Sequence, residues 1–142
     1  MISAYYYGPA AFRRITRDFF RKTRKPDYEL ATSDITIREI RGAPALMRVR
    51  LDRILVAFEI KVWKTDHRVR DLAAKYVAAK VIPAVADLDA QHVAAASILN
   101  MDALVSWNLR HIVNLRTKLA VQRINSNQRV HTPSLIRPDE VS

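Results

Sequence analysis

The feature that most constrains the fold is an alternation of amphipathic helical segments with short apolar segments. In the segment 11–24, Phe12, Ile15 and Phe19 recur at helical spacing, while five arginines lie at other positions of the segment. Short runs with strand-like patterning lie between the helical segments, at residues 28–32, 57–60, 103–106 and 130–133. Because strands that alternate with helices favour parallel pairing, the sequence predicts an α/β sandwich around a mostly parallel sheet.

Several side chains predict where helices begin and end. Ser33, Asp66 and Asn114 each precede a helical pattern and are good N-cap residues, while Gly42 is placed to end the helix that follows Ser33. A helix rich in alanine is expected from Asp87 to Met101. At 142 residues the chain is long enough for one domain with a core of its own, and we expect a single domain over residues 1–142.

Composition excludes several classes of site. With only two glycines, the chain cannot form a Walker loop or a dinucleotide-binding loop. The absence of cysteine excludes disulfides, zinc–thiolate sites and a cysteine nucleophile. No segment has the length of a membrane span or the pattern of a signal peptide, so we expect a cytoplasmic protein without a membrane partner.

The net charge of +10 indicates a polyanionic partner. Residues 1–80 hold 18 of the 24 basic residues and 9 of the 14 acidic ones, so the excess of positive charge lies in the first half. The candidate RNA-binding residues are Arg13, Arg17, Arg21 and Arg110. Arginines on the 11–24 helix are also compatible with an ordinary solvated helix face, and both interpretations stay open.

Two polar clusters are candidates for a site. Asp87 and Asp89 open the alanine-rich helix, and Asn108 follows the predicted strand 103–106. In parallel α/β folds the carboxyl ends of strands form the usual ligand-binding edge, so Asp89 and Asn108 are expected at the same cleft. Carboxylates there would hold Mg²⁺ or Mn²⁺ for phosphodiester cleavage. The alternative is that Asp87 or Asp89 only caps the helix.

The order of these motifs resembles one known family. The segments that carry the resemblance are S-D-I-T-I-R-E-I (33–40), D-A-Q-H-V-A-A-A (89–96), D-A-L-V-S-W-N-L-R-H-I (102–112) and V-H-T-P (130–133). Together they are similar to the PIN-domain family, in the branch of VapC-type toxins from bacterial toxin–antitoxin pairs. The resemblance covers nearly the whole chain and implies a three-layer α/β/α sandwich that cleaves single-stranded RNA with Mg²⁺ or Mn²⁺.

The resemblance also assigns roles to individual residues. It implies Glu39, Asp89 and Asn108 as catalytic residues, with Asn108 standing where many family members have a further acid. It implies Glu39 and Asp89 as metal ligands, with Asp87 as an auxiliary carboxylate. Members of this branch form homodimers and are neutralised by a cognate antitoxin protein, so both partners are expected here.

One departure from the family affects the expected activity. Family members begin with a central strand that ends in a catalytic acid, whereas the sequence here begins at Met1 with Ile2-Ser-Ala-Tyr-Tyr-Tyr7. The resemblance therefore implies that the first strand and its acid are missing. Either the start lies too late or the protein is a truncated relative. The alternative function is thus a catalytically inactive PIN-like protein that binds RNA or an antitoxin.

Overall fold

The computed structural model describes all residues from Met1 to Ser142 and divides them into two compact units. The first unit comprises Met1–Lys64 and Pro138–Ser142, and the second comprises Thr65–Arg137. The first unit contains a 3₁₀ helix (Ile2–Tyr5), α1 (Ala10–Lys22), β1 (Ala31–Ser33), α2 (Asp34–Arg41), α3 (Ala45–Ala57), β2 (Lys61–Trp63) and a 3₁₀ helix (Pro138–Glu140). The second contains α4 (His67–Ala78), a 3₁₀ helix (Ala84–Ala86), α5 (Asp87–Ile98), β3 (Ala103–Val105), α6 (Leu115–Asn127) and β4 (Ser134–Ile136).

The three predicted N-caps are confirmed. Ser33 accepts a hydrogen bond from the backbone N–H of Ile35 at 3.3 Å and caps α2. Asp66 accepts from the N–H of Arg68 at 3.0 Å and caps α4, and further hydrogen bonds from the Arg68 side chain help to lower the pKa of Asp66. Asn114 caps α6 in the same way. Local side-chain chemistry therefore determines where these helices begin.

Four helices end without glycine. The residues that follow the caps of α3, α4, α5 and α6 have positive φ angles, namely Glu59 (51°), Lys80 (57°), Asn100 (55°) and Arg129 (56°). After α3, the N–H of Ile60 bonds to the carbonyl of Leu55 and the N–H of Glu59 bonds to that of Val56, which is the Schellman pattern. Three of these helices are thus followed by Glu, Lys or Arg, for which the left-handed conformation is unfavourable, and the fourth is followed by asparagine, which tolerates it.

The strands pair in parallel, as predicted, but they form two sheets of two strands rather than one central sheet. In the first unit β1 pairs with β2 (Ala31 opposite Lys61), and in the second β3 pairs with β4 (Ala103 opposite Ser134). The six α helices contain far more of the chain than the four three-residue strands, so the protein is a helix-dominated mixed α/β structure.

Two predicted strands were misplaced. The expected strand Ala57–Ile60 is the end of α3 and the turn after it, and β2 begins only at Lys61. The expected edge strand Val130–Pro133 is an irregular segment that precedes β4. The strand predicted at 103–106 is confirmed by β3, while the strand predicted at 28–32 overlaps β1 at residues 31–32 only.

Each unit has its own core. In the first unit Phe19 and Phe20 of α1 are buried, as are the apolar faces of α2 and α3 at Ile35, Ile40, Leu51 and Ile54. The core of the second unit consists of the buried faces of α4, α5 and α6, where alanines of α5 allow close packing against α4. Tyr76, Ser97 and Asn125 are fully buried polar residues in that core.

The positive charge is shared equally between the units. The first unit holds 14 basic and 9 acidic side chains and the second holds 10 and 5, so each carries a net +5. The local density is far from uniform, however. Residues 13–25 contain seven basic side chains and one acid, Asp18. The strongest positive field is therefore expected along α1 in the first unit.

Candidate functional site

The polar cluster of the second unit lies where α5 begins and β3 ends. Asp87 and Asp89 occupy the first turn of α5, and the chain turns after this helix to enter β3. Ser106, Trp107 and Asn108 follow the carboxyl end of β3, and the Ser106 hydroxyl oxygen accepts a 3.0 Å hydrogen bond from the Asn108 N–H. This edge of a parallel strand pair is the position at which α/β proteins usually bind ligands.

His111 joins two of the predicted site residues of this unit, Asp89 and Asn108. Its Nδ1 lies 3.2 Å from Oδ2 of Asp89, and its backbone N–H donates a 2.9 Å hydrogen bond to Oδ1 of Asn108. The side chains of His111 and Asp89 are 24% and 27% exposed, so the pair is partly shielded but open to solvent. Asp89 and Asn108 are thus brought together.

Asp87 takes no part in the contacts that join Asp89 and Asn108 to His111. It is exposed, and its Oδ2 accepts a 2.6 Å hydrogen bond from Nε2 of Gln91, one turn further along α5. The interpretation of Asp87 or Asp89 as a helix cap is wrong, because the N-cap of α5 is Ala86 and no side chain caps this helix. Both carboxylates still lie at the positive end of the helix dipole.

Glu39 lies in the first unit, on α2, where it is exposed and flanked by the buried Ile40. Glu39 and Asp89 therefore belong to different units. No group of three or more His, Cys, Asp or Glu side chains that could hold a metal ion is present.

The carboxylate of Asp89 is the type of ligand that a magnesium ion prefers. Mg²⁺ prefers oxygen ligands and is held through one or two carboxylates, while waters and substrate phosphates complete its coordination. The second unit offers the Asp89 carboxylate for this purpose. The amide oxygen of Asn108 already accepts the His111 N–H, so it is a poorer donor for the same ion.

The predicted RNA-binding arginines of α1 follow one face of the helix. Arg13 donates through Nη1 to the Gly8 carbonyl at 2.8 Å, and Arg17 donates through Nε to the Tyr5 carbonyl at 3.0 Å. Arg21 is 77% exposed and forms an ion pair with Asp18. Arg110 is an exposed residue of the second unit, two positions after Asn108.

Sequence reasoning missed the aromatic partners of these arginines. The guanidinium carbon of Arg17 lies 5.2 Å from the centre of the Tyr5 ring, and that of Arg24 lies 4.8 Å from the centre of the Phe58 ring. Arg50 lies over Tyr6 and Tyr7 at 5.6 and 5.9 Å. The run of three tyrosines ahead of an arginine-rich helix was the available signal.

Comparison with protein-family models, with curated proteins and with solved structures found no match to this chain. None of its helices combines the length and the apolar character needed to cross a membrane. The functional argument therefore depends on the geometry described above and on the motifs of the sequence.

Proposed function

We propose that this protein is a PIN-type endoribonuclease of the toxin class, which cleaves single-stranded RNA with Mg²⁺ or Mn²⁺. The observation that carries the proposal is the convergence of Asp89 and Asn108 on His111 at the carboxyl end of β3. The two motifs that supply these residues, at positions 89–96 and 102–112, are among those that carry the resemblance to PIN domains.

The proposed roles follow from the chemistry of each side chain. Asp89 would hold the divalent ion, which would supply a nucleophilic water and neutralise charge on the phosphodiester. His111 fixes the orientation of the Asp89 carboxylate through its Nδ1, and Asn108 fixes the backbone of His111. Asp87 would serve as an auxiliary carboxylate, because it lies in the same helical turn as Asp89. Glu39 is assigned to metal binding by the resemblance alone.

The test is the cleavage of labelled single-stranded RNA by the purified chain. We expect the single-stranded RNA to be cleaved in the presence of Mn²⁺ and to stay intact when EDTA is present. A duplex RNA of the same sequence should stay intact under both conditions. Cleavage that persists unchanged in EDTA would contradict a metal-dependent mechanism. An RNA that stays intact at high protein and Mn²⁺ concentrations would reject the nuclease proposal.

A second candidate function is binding of RNA, or of an antitoxin, without cleavage. The observation that favours it is that no group of three metal-binding side chains is gathered, while residues 13–25 present seven basic side chains. Under this proposal the chain binds single-stranded RNA equally well with Mn²⁺ and with EDTA, and the RNA is recovered intact. Cleavage dependent on Mn²⁺ would exclude it.

The proposal includes a three-layer α/β/α arrangement, a cytoplasmic location, a cognate antitoxin and a homodimer. Exposed apolar side chains on one face of α3 support a protein partner: Leu46 is 62% exposed, Val49 49% and Val56 79%. Sedimentation of the purified chain tests the dimer. A monomer at all concentrations would remove that part of the proposal.

A further inference from the structure

We infer that a hollow in the first unit binds one nucleotide of a single-stranded nucleic acid chain, with its phosphate on arginines and its base against aromatic rings. The hollow has a volume of about 280 Å³ and is lined by Tyr5, Arg17, Arg21, Arg24 and Phe58. Its occupancy by RNA rests on the proposed function, but the hollow is remote in sequence from the Asp89 cluster. It is a site for binding and not for cleavage.

The charge of the lining determines the kind of ligand. Three of the five lining residues are arginines and none is acidic. The Asp18 carboxylate pairs with Arg21 and neutralises part of the charge of that arginine. Arg24 contacts the Phe58 ring and has no carboxylate partner. Such a lining favours an anion with several acceptor oxygens, and a guanidinium group binds a phosphate through two parallel hydrogen bonds.

The aromatic residues hold two of these arginines in place. The Arg17 guanidinium lies over the Tyr5 ring and is also tied to the Tyr5 carbonyl through Nε, while Arg24 lies over Phe58. Cation–π contacts of this kind leave the terminal N–H groups available to an incoming anion. Because the side chains are already ordered, less conformational entropy is lost when the ligand binds.

The rings themselves are held by the core of the first unit. Phe58 packs on the buried Phe20 with ring centres 4.8 Å apart and an angle of 31° between the planes, and Tyr5 lies 5.9 Å from Phe58. Ring faces and guanidinium planes are the surfaces on which unpaired bases stack. The combination of fixed planar groups with arginines is thus better suited to a nucleotide than to a bare phosphate ion.

The size and surroundings of the hollow indicate that its ligand is one nucleotide of a longer nucleic acid. Its volume lies near the lower limit of ligand pockets, about 300–1,000 Å³, which suits a single nucleotide. Arg13, Arg17 and Arg21 are spaced by four residues on α1, so successive guanidinium groups begin about 6 Å apart along the helix axis. A row of cations that leads out of a pocket is suited to a polyanionic backbone, and this favours nucleic acid over an acidic peptide.

The experiment measures the binding of the full chain to a fluorescent single-stranded RNA of 12 uridines, by anisotropy and in EDTA so that cleavage cannot interfere. The test variant is Arg21→Gln with Arg24→Gln. The matched control is Arg48→Gln with Arg53→Gln, which removes two exposed arginines from α3 of the same unit and changes the net charge equally. A third variant, Phe58→Leu, removes one stacking surface.

We expect the Arg21/Arg24 variant to bind at least tenfold more weakly at 100 mM salt, and the control pair to stay within threefold of the wild type. The slope of log K against log salt should fall in magnitude by about 1.4 for the test variant, because two phosphate contacts of about 0.7 each are lost. Phe58→Leu should weaken binding between about fivefold and 150-fold without changing this slope.

Three results would overturn the inference. The first is equal weakening by the test and control pairs, which would mean diffuse attraction to the whole surface. The second is displacement of the RNA by poly-glutamate of equal charge at equal concentration, which would identify an acidic protein segment as the ligand. The third is the absence of binding in EDTA. If the wild-type chain binds the RNA in EDTA but does not cleave it in Mn²⁺, the nuclease proposal fails, while the assignment of the hollow as a nucleotide-binding site stands.

Discussion

Replacing Tyr76 with phenylalanine removes one hydroxyl group from the fully buried polar network of the second unit. The Tyr76 hydroxyl donates a 2.6 Å hydrogen bond to Oδ1 of Asn125. Nδ2 of Asn125 donates to Oγ of Ser97 and to the His131 carbonyl, both at 3.0 Å. The network connects α4, α5 and α6 with the segment that leads to β4. Tyr76, Ser97 and Asn125 have no access to solvent, so bulk water cannot replace a hydrogen-bond partner that one of them loses.

The expected cost of Tyr76→Phe is about 1–3 kcal/mol of unfolding free energy, because Oδ1 of Asn125 would be left buried without a donor. Phenylalanine keeps the ring and its packing, so the change isolates the hydroxyl group. Urea denaturation followed by circular dichroism should show a midpoint lower by about 1 M for a loss of about 2 kcal/mol. A variant within about 0.5 kcal/mol of the wild type at neutral pH would refute the reasoning.

A pH series gives an independent check. Burial raises the pKa of Tyr76 to about 12. The folded state therefore keeps a proton that the unfolded chain loses above about pH 10, and this contribution to stability is lost as the pH rises from about 10 to about 12. Tyr76→Phe has no such proton. The difference in unfolding free energy between the wild type and Tyr76→Phe should therefore shrink by about 1.4 kcal/mol between neutral pH and pH 11. A disadvantage that stays constant would contradict the assigned pKa.

Two further predictions concern the ends of α6, both measured by urea denaturation. Asn114→Ala should lower the unfolding free energy by about 1–2 kcal/mol, because it removes the 2.8 Å bond to the Thr117 N–H and the bonds to the carbonyls of Leu109 and Arg110; no change would mean that water replaces the cap. Arg129→Gly should raise the unfolding free energy by about 0.5–1 kcal/mol, because Arg129 has a φ of 56°, which glycine adopts without strain. The matched control, Arg123→Gly within α6, should instead lower the unfolding free energy. Stabilisation by both substitutions would refute this account.

The sequence predicted those parts of the fold that depend on local chemistry. Ser33, Asp66 and Asn114 were found as caps because each side chain bonds to a backbone group only two or three residues away. Strand positions were less accurate, because three-residue strands have little pattern of their own and their register depends on a distant partner. β4 pairs with β3 some 30 residues earlier, and the sequence placed it at 130–133.

The candidate site shows the same division. Asp89 and Asn108 were predicted at one edge from the order of helix and strand, which topology requires. The bond between Asp89 and His111 spans 22 residues and depends on tertiary packing, so no sequence pattern contained it. Likewise, Tyr5 and Phe58 line one hollow although 53 positions separate them in the chain.

The measurement that tests the central claim most directly is the single-turnover rate of Mn²⁺-dependent cleavage of single-stranded RNA by Asp89→Asn and by Asp102→Asn. Asp102 is an exposed residue just before β3, so its replacement removes the same charge from the same unit outside the cluster. We predict that Asp89→Asn abolishes cleavage while its affinity for RNA in EDTA stays within threefold of the wild type, and that Asp102→Asn cleaves normally. Equal rates for the two variants would contradict the account.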